Sequence, residues 1–582
     1  SGVMFKNTEG ECNTALGHIA LQCNTTGDQN VAVGATALDA NTIGCRGVAI
    51  GFNALGANTD GNFNTAVGRS ALSTNTTGDN NVAIGYASLQ CSTTSSNNTS
   101  MGMESMFLNT TGASNVAVGC GALRANTTGG NNLAIGDSAL FSNTTNTTNL
   151  AIGNSALRAN NAGGDNLAIG QQSATTNLSG FHLTAIGHYS LFANTSAQGN
   201  TAVGHSSLRA NTTGATNTAV GKNSLCKNTT GASNTALGYE ALCKNTTGAD
   251  NVALGRNAML GNTTGGSNLA SGTSAMQCNT TGANNTALGG NSTMFTNTTG
   301  AGNTAVGTSA LTANTTASNN TAVGYQSLLT NTVGFNNVGF GNQSLCLLTN
   351  GDYNTAIGQG SMAKTTEGNR NVAVGNNSLI CNTTGSANTA VGGTNAGTLP
   401  VMWKNTTGTC NSAFGTTALA SNTTGSFNTA VGFQAGCTLT TGANVSMIGR
   451  NAQPSAVGVS DEFTLGDSNI TSLRCADTSI STLSDLRDKT NVKDIPHGLD
   501  YILALRPVKF DWNTRDGTRK GKKDYGFIAQ ELDKVETDFG SAEYTRLVHK
   551  DNPEKWEADV MKTYPILIKA IQELKKEIDL LK

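Results

Sequence analysis

One interval constrains this chain more than any other feature. Glycines closing an Asn-x-Ala-x-Gly pattern, or a close variant, fall at Gly17, Gly34, Gly51, Gly68 and onward every 17 residues to Gly289. One added residue moves the next to Gly307, after which Gly324, Gly341, Gly358, Gly375 and Gly392 keep the interval. A six-residue insertion, within the stretch containing Leu399-Pro400-Val401-Met402-Trp403, delays the next to Gly415, followed by Gly432 and Gly449. Self-similarity at a fixed period is the mark of a stacked array in which each unit covers its neighbour, not of an ordinary globular core.

The unit Asn24-Thr-Thr-Gly-Asp-Gln-Asn-Val-Ala-Val-Gly-Ala-Thr-Ala-Leu-Asp-Ala40 predicts one short strand, Asn30 to Val33, flanked by turn residues. Val33 has Ile50, Val67, Ile84, Val118 and Ile135 at equivalent places, and Leu38 has Leu55, Leu72, Leu89, Leu123 and Leu140. These make two apolar stripes. Ala32 and its equivalents place a methyl group on the face opposite Val33. Seventeen residues are too few for a helical repeat and suit one turn of a parallel coil, whose stacked turns satisfy each other's backbone groups. At roughly 4.8 Å per hydrogen-bonded strand, the 26 recognisable turns predict a rod of about 120 Å. The expected core is thin, so side-by-side packing of copies is expected to supply further burial. Asn, Thr, Ser and Gly are assigned to the surface.

These turns resemble the head repeats of trimeric autotransporter adhesins, over about residues 11–449. The resemblance implies three chains, each coiled into a parallel β-roll and packed around an axis. The 17-residue spacing is longer than that family's usual repeat.

Charge divides the chain. Residues 1–470 carry 14 Lys and Arg against 16 Asp and Glu, whereas residues 471–582 carry 20 of each sign. The repeat therefore offers no strongly basic surface for nucleic acid or an anionic membrane. No run of 18 apolar residues is long enough to span a bilayer, and the first residues do not read as a secretory signal. The thirteen cysteines include no CxxC pair, and a zinc site or a disulfide ladder would need tighter or more regular spacing; most read as small, buried or semi-buried residues in place of Ala or Ser, and no cofactor is expected. Assembly in a reducing cytosol fits such usage. Asn-x-Thr sequons recur as a consequence of the repeat. Aromatic residues cluster at Phe181, His182, His188, Tyr189 and Phe192, and Trp403 is assigned to the insertion. His188, Tyr189 and Trp403 are candidate receptor contacts, since an aromatic face beside polar groups can stack on a sugar.

After Gly449 the interval is read as broken at Asn451-Ala-Gln-Pro454, and residues 467–483 as a transition to a compact domain. Ile502, Leu503, Leu505, Val508, Phe510 and Trp512 are its expected core, and Tyr525-Gly-Phe-Ile-Ala-Gln-Glu531 reads as a strand entering a turn or helix. Leu567, Ile571, Leu574, Ile578 and Leu581 are spaced by four, three, four and three on a closing helix, a heptad stripe able to pack three copies together.

The opening Leu483-Ser-Asp-Leu-Arg-Asp-Lys489 holds a serine five residues before a lysine, a spacing common in solvated loops. Its Asp485, Arg487 and Asp488 suit a charge cluster or salt bridges equally well. With Gly498-Leu-Asp-Tyr-Ile-Leu-Ala-Leu-Arg-Pro507, Tyr525 to Glu531 and the closing helix, it resembles the intramolecular chaperone domain of endosialidases and other phage tail spikes and fibres, the S74 peptidase family. The resemblance implies a domain that aligns three chains and then cuts itself away, with Ser484 as nucleophile, Lys489 as general base and Leu483-Ser484 as the cleaved bond.

The resulting expectation is a predominantly β protein: a lead-in over 1–10, a trimeric parallel β-roll or β-solenoid shaft over 11–449, a transition over 450–483, and a small mixed α/β chaperone domain over 484–582 ending in a helix. Its expected role is that of a homotrimeric viral or phage tail fibre or appendage for host attachment. The expected partners are a virion or tail attachment protein and a host surface receptor of glycan type, without nucleic acid or membrane insertion. Its expected place is the virion, after assembly in the host cytoplasm. The alternatives are a cellular surface adhesin or stalk with the same maturation domain, and a glycan-degrading tail spike.

Overall fold

A computed structural model describes the chain except residues 1, 395–396, 471–473, 475–483, 485–486, 488, 514–519 and 551–555. The chain divides into two compact units, Ser1–Tyr353 and Asn354–Lys582. The first is a parallel β-solenoid whose three-residue strands run from β1 (Thr14–Leu16) to β20 (Val338–Phe340). The second carries seven further strands of the same kind, β21 (Thr355–Ile357) to β27 (Phe463–Leu465), and then a small α/β domain. Within each unit neighbouring strands pair in parallel and in register, as Thr218, Ala219 and Val220 do with Thr235, Ala236 and Leu237.

The period and the class of fold are those the repeat predicts, but the faces are assigned differently. Ala32, Ala49 and their equivalents, at the strand centres, are fully buried. Since successive strand residues alternate in direction, the Val33 series must point outward, and Ile50 and Leu237 are 40% and 50% exposed. The Leu38 stripe alone enters the core, beside Ala37 and its equivalents.

The rest of that core is asparagine, against the expectation of a polar surface. Asn24 and Asn30, with nearly every equivalent, are buried. In the first column each side-chain amide donates to the Asn carbonyl one turn earlier and to a backbone carbonyl of its own turn. Asn58 Nδ2 lies 2.8 Å from Asn41 Oδ1 and 3.0 Å from the Gly61 carbonyl. In the second column Asn64 Oδ1 accepts from the backbone N–H of Asn81 at 2.9 Å, while Asn64 Nδ2 donates to the Gly78 carbonyl at 2.7 Å. A buried amide is costly only when unmatched, and stacking identical turns matches each with the next. Where the first column changes residue, at Ser92, Leu348 and Leu439, the preceding Asn75, Asn331 and Asn422 each leave a buried Oδ1 without a partner.

Close stacking also fixes the backbone. Gly34 has φ +136°, and a Cβ there would lie 2.4 Å from the Gly51 carbonyl oxygen. Leu38 occupies the left-handed region at φ 49°. That costs an L-residue roughly 1–2 kcal/mol. The conformation turns the leucine side chain into the core, worth about 1.5–3 kcal/mol for a large aliphatic group, and directs the Leu38 N–H to the Ala54 carbonyl at 3.0 Å.

Two boundaries differ from the sequence reading. The 17-residue register does not stop at Gly449: Phe463, Thr464 and Leu465 pair with Ser446, Met447 and Ile448. Trp403 does not belong to the insertion either. Met402 takes the leucine place, φ 47°, with its N–H on the Ala418 carbonyl at 2.9 Å. The extra residues therefore precede Val401. The columns close over them, since Asn405 Nδ2 still reaches Asn382 Oδ1 at 2.9 Å.

In the terminal domain α1 (Leu499–Ala504) is followed by the antiparallel pair β28 (Val508–Asp511) and β29 (Lys523–Gly526), then α2 (Ala529–Asp538) and α3 (Ala542–Thr545). A short pair, β30 (Val548–His549) with β31 (Glu557–Ala558), leads to α4 (Tyr564–Leu580). The core is Tyr501, Leu532, Leu547 and Ile566, with Ile502 and Leu505 packed against it. Leu503 is exposed instead, and Val508, Phe510 and Trp512 are only half-buried on the hairpin. Among the described residues no helix is long and apolar enough to cross a membrane.

The asparagine columns make a direct prediction. Asn245→Ala removes the donor to Asn228 Oδ1 and the acceptor of Asn262 Nδ2. Each unmatched buried polar group costs about 1–3 kcal/mol, so amide hydrogen exchange across residues 228–265 should accelerate at least tenfold. Exchange at the wild-type rate would refute the stabilising role of the column.

Candidate functional site

The terminal domain is held by a few polar contacts around its small core. Glu573 on α4 accepts the Leu499 N–H at 2.8 Å, at the start of α1. Glycine at 498 permits that approach, because a Cβ there would lie 2.2 Å from Glu573 Oε2. Tyr501 packs against Phe539 with ring centroids 4.9 Å apart, and its hydroxyl accepts from Ser541 Oγ at 3.2 Å. The buried Glu536 carboxylate accepts from Thr545 Oγ1 and from the Leu547 N–H at 2.6 Å. On the surface Arg506 grips Glu531 with two guanidinium donors, Nε lying 2.9 Å from Oε2. The hydrogen bond from Arg506 holds the Glu531 carboxyl below its usual range. Two motifs distant in sequence, Leu-Arg-Pro507 and Ile-Ala-Gln-Glu531, thereby meet.

Ser484 and Lys489 come together. Lys489 Nζ donates to Ser484 Oγ at 2.7 Å, and both residues are exposed. They occupy irregular chain before α1. Proton abstraction from the hydroxyl requires the reverse arrangement, a neutral amine accepting from Oγ, and removal of water from the amine favours that form. Arg487, also exposed, lies between them in sequence. Leu483, Asp485 and Asp488 lie outside the described residues, so the geometry concerns the pair alone.

The closing helix meets its domain through one face and leaves another open. Ile566 and Ala570 are 4% and 3% exposed, whereas Leu567, Ile571, Leu574 and Ile578 are 41–59% exposed and Leu581 is 87%. The heptad stripe of the sequence is this open face.

In the first unit the aromatic residues divide. Phe181 packs on the neighbouring His182, with ring centroids 5.0 Å apart. His188, Tyr189 and Phe192 form a separate shelf with His205 of the next turn: the His188 and Tyr189 centroids are 3.9 Å apart, those of Tyr189 and Phe192 5.5 Å, and His188 Nδ1 lies 3.4 Å from His205 Nε2. The Arg209 guanidinium lies over Tyr189 at 5.2 Å. His205 and Arg209 were not foreseen, although each follows a shelf residue by 17 positions. In the second unit Trp403 is half-buried, with Lys404 Nζ 5.7 Å from its ring centre. Among the described residues no group of three or more His, Cys, Asp or Glu is placed to hold a metal ion. The described cysteines are half-buried or exposed, without the full burial considered for some of them.

Residues 484–541 match the peptidase S74 family, whose description is chaperone of endosialidase. The match opens on Ser484 and covers α1, β28, β29 and α2. The chain thus carries a chaperone-of-endosialidase domain after a long β-solenoid. No curated protein matches the chain.

Proposed function

We propose that this protein is a homotrimeric viral or phage tail fibre or appendage, aligned by its carboxy-terminal domain, which then releases itself by cutting between Leu483 and Ser484. The observation that carries this reading is the Lys489–Ser484 hydrogen bond at the first residue of the matched domain. In the proposed step the neutral Lys489 amine takes the Ser484 hydroxyl proton while Oγ attacks the Leu483 carbonyl carbon. The C–N bond breaks as the proton passes to the departing amine of Ser484, leaving Leu483 esterified to Oγ. Water then hydrolyses the ester, freeing a Leu483 carboxylate and the serine hydroxyl. Each domain performs this once, on its own chain.

Timing follows from exposure. In one chain the Ser484–Lys489 pair is exposed, and three assembled domains would exclude water from it. The chemistry would then wait for assembly. Intact-mass measurement during refolding tests this step: wild type should yield a shaft ending at Leu483 and a fragment beginning at Ser484, and Ser484→Ala should yield only the full chain. A full-length wild-type mass under conditions that give folded trimers would overturn self-cleavage.

Trimerisation rests on apolar surface that a single chain leaves open. The outward Val33 series runs along the strand face, and the Leu567-to-Leu581 stripe runs along α4. Heptad stripes of mixed Leu and Ile suit helices packed on one another. Ile571→Asp with Leu574→Asp should abolish the trimer seen by light scattering during refolding while leaving α4 helical by circular dichroism. A trimer of undiminished yield would reject the helix seam.

Host attachment is assigned to the His188–Tyr189–Phe192–His205 shelf. Its rings, half-buried at His188, Tyr189 and Phe192 and exposed at His205, offer flat faces, and Arg209 offers donors, a combination that suits a saccharide receptor; Trp403 with Lys404 is a second candidate. Tyr189→Ala should weaken adhesion of the purified shaft to host cells at least tenfold. Unchanged adhesion would move the receptor face elsewhere. The proposed place of action is the virion, after assembly in the host cytoplasm.

A further inference from the structure

Cys226 and Cys243 are separated by 17 residues, and no other two of the thirteen cysteines are. In a solenoid of this period the separation puts them at the same place on adjacent turns. Arg209, Cys226, Cys243 and Leu260 follow one another in a single column. The backbone bonds beside it confirm the register: Ala210 N–H to the Cys226 carbonyl at 3.0 Å, Lys227 N–H to the Cys243 carbonyl at 3.0 Å, and Lys244 N–H to the Leu260 carbonyl at 3.1 Å. Hydrogen-bonded neighbours stack about 4.8 Å apart, inside the roughly 4.4–6.8 Å between Cα atoms that a disulfide spans. Both side chains are half-buried, so small reagents reach them.

We propose that Cys226 and Cys243 form a thiol–disulfide exchange site that takes a low-molecular-weight disulfide as reagent and closes into a bond stapling two adjacent turns.

The surroundings assign the two roles. The hydrogen bond from Cys243 brings the Cys226 thiol down to about 7; burial opposes this, the charges of Arg209 and Lys227 add to it, and Glu240 opposes it. Cys243 is pushed up, first by the same hydrogen bond and then by burial. Cys226 is therefore the thiolate that attacks and Cys243 the thiol that resolves. Cys226 sulfur bonds to one sulfur of the reagent as the reagent's S–S bond breaks, releasing one thiolate. Cys243 sulfur then bonds to Cys226 sulfur, displacing the second reagent thiolate, which leaves with the Cys243 proton. The protein loses two electrons and the reagent, reduced to two thiol equivalents, gains them.

The neighbouring sequence makes the product easy to recognise. Trypsin cuts after Lys222, Lys227 and Lys244, placing the two cysteines in separate peptides, 223–227 and 228–244. Full-length protein is treated with oxidised glutathione, then denatured in alkylating reagent, digested and mapped by mass. The expected product is peptide 223–227 joined to 228–244, two hydrogens lighter than the separate pair and parted by dithiothreitol. Cys346 and Cys437, whose thiols burial pushes up, are internal controls and should react at least tenfold more slowly. Cys243→Ser should stop at glutathione bound to Cys226, with the trimer content and circular dichroism of wild type.

Three results would each overturn the site: reaction at Cys226 no faster than at the controls, a lasting glutathione adduct on Cys226 in wild type, or peptide 223–227 joined to its own copy from another chain.

Discussion

Most turns of this chain place two asparagine side chains where a hydrophobic protein would place leucines, and the fold depends on how they are matched. A carboxamide has two donors and an acceptor of fixed geometry, and burying one alone is unfavourable. Repetition at one interval removes the difficulty, because Asn41 finds Asn24 and is found by Asn58, each at 2.8 Å. The columns cannot form in part without leaving open ends, as Asn75, Asn331 and Asn422 show. Stability is thus shared between neighbouring turns, and the apolar fraction can stay low because the amides contribute directional bonds.

The same economy leaves apolar surface outside. With Ala at most strand centres facing in, the flanking Val, Ile, Leu and Thr of the strand must face out. A chain that buries methyl groups and amides within itself offers its larger aliphatic side chains to something else, and other copies are the simplest occupant. Register then becomes the difficulty, since neighbouring turns are so alike that a one-turn slip keeps most contacts. In the function proposed for it, a terminal domain with a unique core and one open helix face would supply what the shaft lacks, a single correct alignment. Cutting it away afterwards would leave a product that re-forms poorly once opened, protected by its unfolding barrier.

Legibility differed from one residue class to another. The period, strand, turn glycines and Leu38 stripe could be read because each is a repeated pattern with one physical meaning. The asparagines were misplaced for an equally physical reason: polarity predicts exposure on average, and only a partner at a fixed distance reverses it. In the terminal domain Leu503 looked as suited to a core as Ile502, because hydrophobicity does not say which way a short helix faces. The Ser484–Lys489 pair was legible through the resemblance of its surroundings, since a serine five residues before a lysine means little alone.

The sequence by itself determined the interval, and the interval determined a stacked parallel fold, because only a repeated turn satisfies backbone groups with so few large apolar residues. The inward face, the burial of the asparagine columns and the exposure of the α4 stripe were decided only by the tertiary structure. Those are properties of contacts between turns and helices, and no residue carries them until its neighbour one turn away, or across the domain, is in place.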